Sequence, residues 1–123
     1  MRQLLALMVF LVALGPMAKG QVRPPGSIIC ATPSEKLYTG SPSILVLSNG
    51  DYLASHDFFG PKAMENGGLG TTRIFVSKDK GKHWQLRTTI KGQFWSSLFQ
   101  HKGSIYIFGT RGGVHDCVIR RSN

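Results

Sequence analysis

From Pro42 onward the chain alternates short runs rich in β-branched and aromatic residues with polar turns that carry glycine. That texture predicts strands and hairpins. "SILVLS" (43–48) and "DYLASH" (51–56) flank Asn49-Gly50, a strong hairpin signal. "TTRIFVS" (71–77) and "HWQLRTTI" (83–90) flank "KDKGK", and "FWSSLFQ" (94–100) and "SIYIFGT" (104–110) flank Lys102-Gly103. "DCVIRRS" (116–122) reads as a last strand. No window carries the 3.6-residue period of an amphipathic helix, so the expected class is all-β.

The start of the chain has a different pattern. Met1-Arg2-Gln3 is a short positive stretch, Leu4–Leu14 is an apolar run, and "AKG" (18–20) places small residues at both recognition positions of a cleavage site. Residues 1–20 are therefore expected to be a signal peptide, cleaved near Gly20, with the remainder exported to the periplasm or the extracellular space. The apolar run is too short to span a bilayer as a helix, and no later segment is longer, so no membrane span is expected. Residues 21–41, with "RPPG", read as an irregular lead-in.

Charge changes the picture little. Removing Arg2 and Lys19 with the leader lowers the formal charge from +9 to +7. The cations are scattered singly, apart from lysines 78, 80 and 82 and the pair Arg120-Arg121, and no nucleic-acid motif accompanies them. A solvated basic surface is the expected reading, with no nucleic-acid partner. The two cysteines of an exported chain permit one disulfide, Cys30–Cys117, while Cys117 could equally be a buried thiol of an apolar strand.

The strands also repeat. Gly50 of the first hairpin matches Gly103 of the third at a spacing of 53, and Ser77 after "RIFV" matches Ser122 after "VIRR" at 45. The difference lies in one connection, "HDFFGPKAMENGGLG" (56–70), which is eight residues longer than its counterpart "TRGGVHD". Units of about 45 residues with four strands each are the signature of propeller blades. Within the first unit, Ser77, Asp79, Gly81 and Trp84 fit S-x-D-x-G-x-x-W. A calcium loop would need several more oxygen-bearing side chains than Asp79 supplies. A turn suits the stretch: the aspartate can accept backbone N–H bonds, the glycine can take a positive φ, and Trp84 can tuck beneath them, with Trp84, Leu86, Thr88 and Ile90 following on one face.

That spacing resembles the Asp-box of sialidase-like (exo-α-sialidase, neuraminidase) β-propellers, and the resemblance extends through "SPSILVLSNGDYLASHD", "TTRIFVSKDKGKHW", "FWSSLF" and "VIRRS", roughly residues 38–123. It implies the first blade (about 42–90) and part of the second (about 93–123) of a six-bladed propeller. It further implies an N-terminal fragment, with the next box cut off after Ser122. Ligands of such propellers sit on the face formed by the connection 56–70, "IKGQFW" and "TRGGVHD", opposite the structural Asp-box turn. The family cleaves terminal sialic acid with a tyrosine nucleophile, its glutamate, three arginines and an acid/base aspartate. Most of these would lie outside the present chain, so the fragment is not expected to be a competent enzyme.

The resemblance implies Asp57 as the acid/base candidate, with Glu65 as a weaker alternative in the same loop. Arg73, Arg111 and His115 are candidate sugar contacts. Gly40 stands where the family's first arginine is expected. Phe94 and Trp95 are expected in the core or between blades. Ser55-His56-Asp57 cannot be a triad, because adjacent strand residues point to opposite faces. His115 and Cys117 are too few ligands for a metal site, so neither metal nor cofactor is expected. The resulting expectation is a sialidase-like glycoside hydrolase acting on terminal sugars of glycans. The alternative is a non-catalytic Asp-box propeller that binds glycan or protein.

Overall fold

The computed structural model describes residues 26–31, 34–65, 70–112 and 116–122, the side chains of residues 64 and 65 excepted. The expected leader at 1–20, its cleavage point and part of the lead-in lie outside the described residues. Among the described residues seven strands form where the run-and-turn pattern places them: β1 (Tyr38–Val46), β2 (Tyr52–Phe59), β3 (Thr71–Ser77), β4 (Gln85–Lys91), β5 (Gln93–His101), β6 (Ser104–Arg111) and β7 (Cys117–Arg121). They make two antiparallel meanders, a four-stranded sheet β1-β2-β3-β4 and a three-stranded sheet β5-β6-β7. No described helix is long and apolar enough to cross a membrane.

Three details correct the sequence reading. First, β1 starts at Tyr38, ahead of the boundary read at Pro42, because Tyr38–Gly40 pair with Phe59–Asp57. Pro42 cannot donate to the ladder, but the register shifts between Gly40 and Ser43, and Ser41 takes φ 48°. The proline thus falls in a bulge, where its missing N–H is harmless. Second, a helix α1 (Pro61–Glu65) opens the long connection. Gly60 at φ 100° turns the chain into it, and Ala63 N–H donates to Gly60 O at 3.0 Å. Five residues are too few to show a helical period. Third, β4 is bulged. Thr88 pairs with Ile74 and Leu86 with Phe75, which leaves Arg87 unpaired and puts Leu86 and Thr88 on opposite faces.

The two sheets pack through one face each. Leu53, Leu98 and Ile107 are buried at the centre, ringed by Leu45, Ile74, Val76, Ile90 and Ile105. Leu98 N–H donates to Ser43 Oγ at 3.0 Å across the join. The opposite face of the four-stranded sheet leaves Ile44, Val46 and Leu86 exposed, and that of the three-stranded sheet leaves Phe99, Phe108 and Ile119 exposed. Both sheets also share a device. Each first strand carries a bulge with a left-handed residue that is not glycine, Ser41 in β1 and Trp95 in β5. Ser122 donates its N–H to Ile105 O at 2.8 Å, the place that Ser77 holds opposite Tyr52.

The hairpin between β3 and β4 is closed by its own side chains. Ser77 Oγ donates to Asp79 Oδ1 at 2.8 Å and accepts from Gly81 N–H at 2.8 Å. Asp79 Oδ1 also accepts from His83 N–H at 2.9 Å, and Trp84 Nε1–H donates to Gly81 O at 3.0 Å. Gly81 sits at φ 87° with the Trp84 and Tyr52 rings beneath it. The His83 backbone N–H, the His83 ring and the Ser77 hydroxyl hold the Asp79 carboxyl well below the usual carboxylate range. A lowered carboxyl pKa stabilises the fold above that range, and this contribution is lost as pH falls through the folded-state value. Asp79→Ala should lower the melting temperature at neutral pH and abolish this part of the acid sensitivity. Gly81→Ala should cost about 1–2 kcal/mol, because L-residues resist the left-handed region. Denaturant titration across pH checks both.

Candidate functional site

The antiparallel meanders place the turns 47–51, 78–84 and 102–103 at one end and the described parts of the connections, residues 60–65, 70, 92, 112 and 116, at the other. The connection end is knit together by backbone bonds: Gly92 N–H donates to Gly70 O at 3.0 Å, and Gly112 N–H to Gly92 O at 3.2 Å. Long connections on a rigid scaffold are where ligand contacts concentrate.

Just inside that end, between the two sheets, lies a buried polar cluster. Asp57, on the inward face of β2, is 1% exposed. Its Oδ1 accepts from Thr72 Oγ1 at 2.5 Å and its Oδ2 from Ser96 N–H at 2.9 Å. The Ser41 hydroxyl and the Trp95 N–H also donate to it. Both left-handed bulges therefore turn toward one carboxylate, and successive N–H groups of β5 form a concave nest for it. Burial pushes the Asp57 pKa up, and these hydrogen bonds pull against that rise. The cluster continues through Thr72 Oγ1 to Gln93 O at 3.0 Å and to Ser96 Oγ at 3.1 Å. Arg120 Nε–H donates to Gln93 Oε1 at 2.7 Å. Thr72, Gln93, Ser96 and Arg120 were not singled out from sequence. Apart from the local bond from Gln93 Nε2 to Ser96 Oγ at 3.3 Å, their partners lie 15 to 39 residues away, where no local period links them.

The sequence candidates do not converge. Asp57 faces the sheet-to-sheet join. Arg73 lies on the opposite face of the same sheet, with its guanidinium 4.7 Å above the Phe58 ring. His56 stands across from Arg73 in register, away from Asp57, as strand alternation requires. Burial holds the His56 pKa below its usual value. Arg111 is an exposed partner of Asp116 at 2.9 Å on the connection end. His115 and the Glu65 side chain lie outside the described residues.

Other expectations need correction. Of the two places expected for Trp95, the core between these two sheets is excluded: its φ of 51° turns the ring outward, 65% exposed, beside Phe94 at 4.8 Å. Phe94 itself is half-buried against Gly70. Both cysteines are free, and Cys117 is exposed rather than buried. Cys30 lies beside β1 and Cys117 on the far edge strand of the other sheet, so the fold does not pair them. At Gly40 an added Cβ would lie 2.7 Å from the Phe59 ring, so a larger residue there must displace that ring.

No protein-family model matches the chain, and no curated protein matches it. Among solved structures the chain is similar to Trypanosoma rangeli sialidase, at 22% identity and a TM-score of 0.49. The match covers 63% of this chain and 12% of that sialidase.

Proposed function

We propose that the chain builds the opening blades of an exported, sialidase-like Asp-box β-propeller whose connection end receives the terminal sugar of a glycan. The observation that carries the reading is the S-x-D-x-G-x-x-W hairpin, closed by its own serine, aspartate and tryptophan, on one of two stacked meanders that share a bulged first strand. Repetition of that kind belongs to architectures in which each unit buries its faces against its neighbours. The leader-like first twenty residues support export.

A specific observation favours the non-catalytic form of this reading. An acid/base must reach the glycosidic oxygen, whereas Asp57 is buried and already accepts bonds from Thr72 and Ser96. Trp95, by contrast, offers an exposed ring close to the connection end. Aromatic faces of this kind suit the apolar face of a sugar.

Full-length protein should bind sialyllactose or a related terminal-sugar oligosaccharide in calorimetry, and Trp95→Ala should weaken binding about tenfold or more, with the fold intact. Hydrolysis that falls about 10²–10⁴-fold in a folded Asp57→Asn variant would instead restore the acid/base role. Neither binding nor hydrolysis across a panel of terminal sugars would refute the glycan reading.

A further inference from the structure

Asp57 belongs to the four-stranded sheet, yet two backbone donors of the other sheet end on it. The β5–β6 register shifts between Phe94 and Ser97, so the intervening Trp95 and Ser96 stand outside the ladder. Their N–H groups turn into the join between the sheets, where Asp57 and Ser96 are each 1% exposed. Donors left unpaired in such a place are costly. The Asp57 carboxylate accepts both, the Ser96 N–H at 2.9 Å. The hydroxyls of Thr72 and Ser41 hold the carboxylate in turn.

The residue held in this way is strained. Trp95 sits at φ 51°, a region that bulky L-residues occupy only where the surroundings over-determine it. On the Phe94 side of the bulge, Phe94 O accepts from Thr110 Oγ1 at 3.1 Å. On the Ser96 side the fixing group is Asp57. The resulting conformation carries the indole away from the join and into an exposed position beside Phe94. The clamp itself lies between the two sheets, so it does not depend on what packs against their outer faces. A rigid aromatic presented by a buried polar clamp is a binding group preset at low entropic cost.

We propose that Asp57 is a positioning residue for Trp95: its carboxylate locks the β5 bulge and so sets the indole as a platform for the apolar face of a sugar ring. The class of ligand rests on the glycan reading, whereas the clamp does not.

The test is nuclear magnetic resonance of full-length protein carrying isotopically labelled tryptophan, with the Trp95 signals assigned by their loss in Trp95→Phe. In the parent protein the Trp95 backbone amide should exchange with solvent about a hundredfold or more slower than a free amide, although its ring is exposed. In folded Asp57→Asn the Trp95 indole signal should move while the other indole signals keep their positions, which a general loss of stability does not produce. Affinity for sialyllactose should fall about fivefold or more on Asp57→Asn, and less than about twofold when the same change is made in Trp95→Ala. A moved Trp95 signal in a protein that binds no glycan would support the clamp and refute the glycan reading alone. A freely exchanging Trp95 amide would overturn the proposal, and that measurement needs no Asp57 variant to fold. An unmoved Trp95 indole in Asp57→Asn, or an Asp57→Asn effect on affinity that persists in full in Trp95→Ala, would overturn it as well.

Discussion

Asp57→Ala is expected to lower the stability of the folded chain by about 3–5 kcal/mol. The substitution strips the acceptor from the Ser96 N–H and the Thr72 hydroxyl, and from the donors at Trp95 and Ser41. The Trp95 and Ser96 N–H groups are fixed by the left-handed bulge of β5, so they cannot easily turn to other partners, whereas the Thr72 hydroxyl keeps Gln93 O at 3.0 Å. Asp57→Asn keeps one acceptor but presents an NH₂ to groups that are themselves donors, and should cost about 1–3 kcal/mol. A pH series separates this from simple loss of packing. Burial raises the Asp57 pKa, so its proton is held more tightly in the folded than in the unfolded chain. The stabilisation this provides is complete below the ordinary carboxylate pKa and is lost as pH rises through the raised folded-state value. Asp57→Asn should remove that decline, leaving the acid sensitivity set by Asp79 in the opposite direction. Unchanged stability in Asp57→Ala would show that the carboxylate does not join the sheets.

Gly109→Val is expected to destabilise by about 3 kcal/mol or more, with alanine costing about 1–3 kcal/mol. Gly109 lies on β6 beneath the Trp95–Ser96 bulge. A Cβ there would strike Ser96 Oγ and come within 2.8 Å of Phe94 O and 3.1 Å of Ser96 Cα. Two of those atoms are backbone, so a rotamer change cannot relieve the contact. Any retreat of the bulge also withdraws the Ser96 N–H from Asp57. Combined with Asp57→Ala, the loss should therefore be less than additive, a coupling that chemical denaturation of the four-member cycle measures directly.

The strands were legible because each lies between turn residues whose chemistry is local: Asn49-Gly50, the "KDKGK" hairpin and Lys102-Gly103. The bulges were not, since a single extra residue leaves composition unchanged. Two of the three bulges, in β4 and β5, changed a facing. Leu86 moved off the face that holds Ile90, and Trp95 moved into solvent. The spacing of Asp57 at the exit of β2 drew attention to the right residue. Its partners come from β3 and β5, however, and only the stacking of the sheets shows that the carboxylate is enclosed. Gly40 was legible as a departure from a family pattern, and its cause, the ring of Phe59, was visible only in three dimensions.

The central claim is that these two sheets are units of a stack whose outer faces are built to be covered. Leu53, Leu98 and Ile107 form a small buried core between the sheets, while Ile44 is 61%, Val46 55%, Phe108 48% and Ile119 59% exposed. Contiguous apolar faces of that kind drive association in water. Light scattering on residues 21–123, across a concentration series, tests this most directly. The account predicts oligomers or aggregates at micromolar concentration, reduced when Phe99, Phe108 and Ile119 are replaced together by serine. A monodisperse monomer with a cooperative melt, unaltered by those serines, would contradict it.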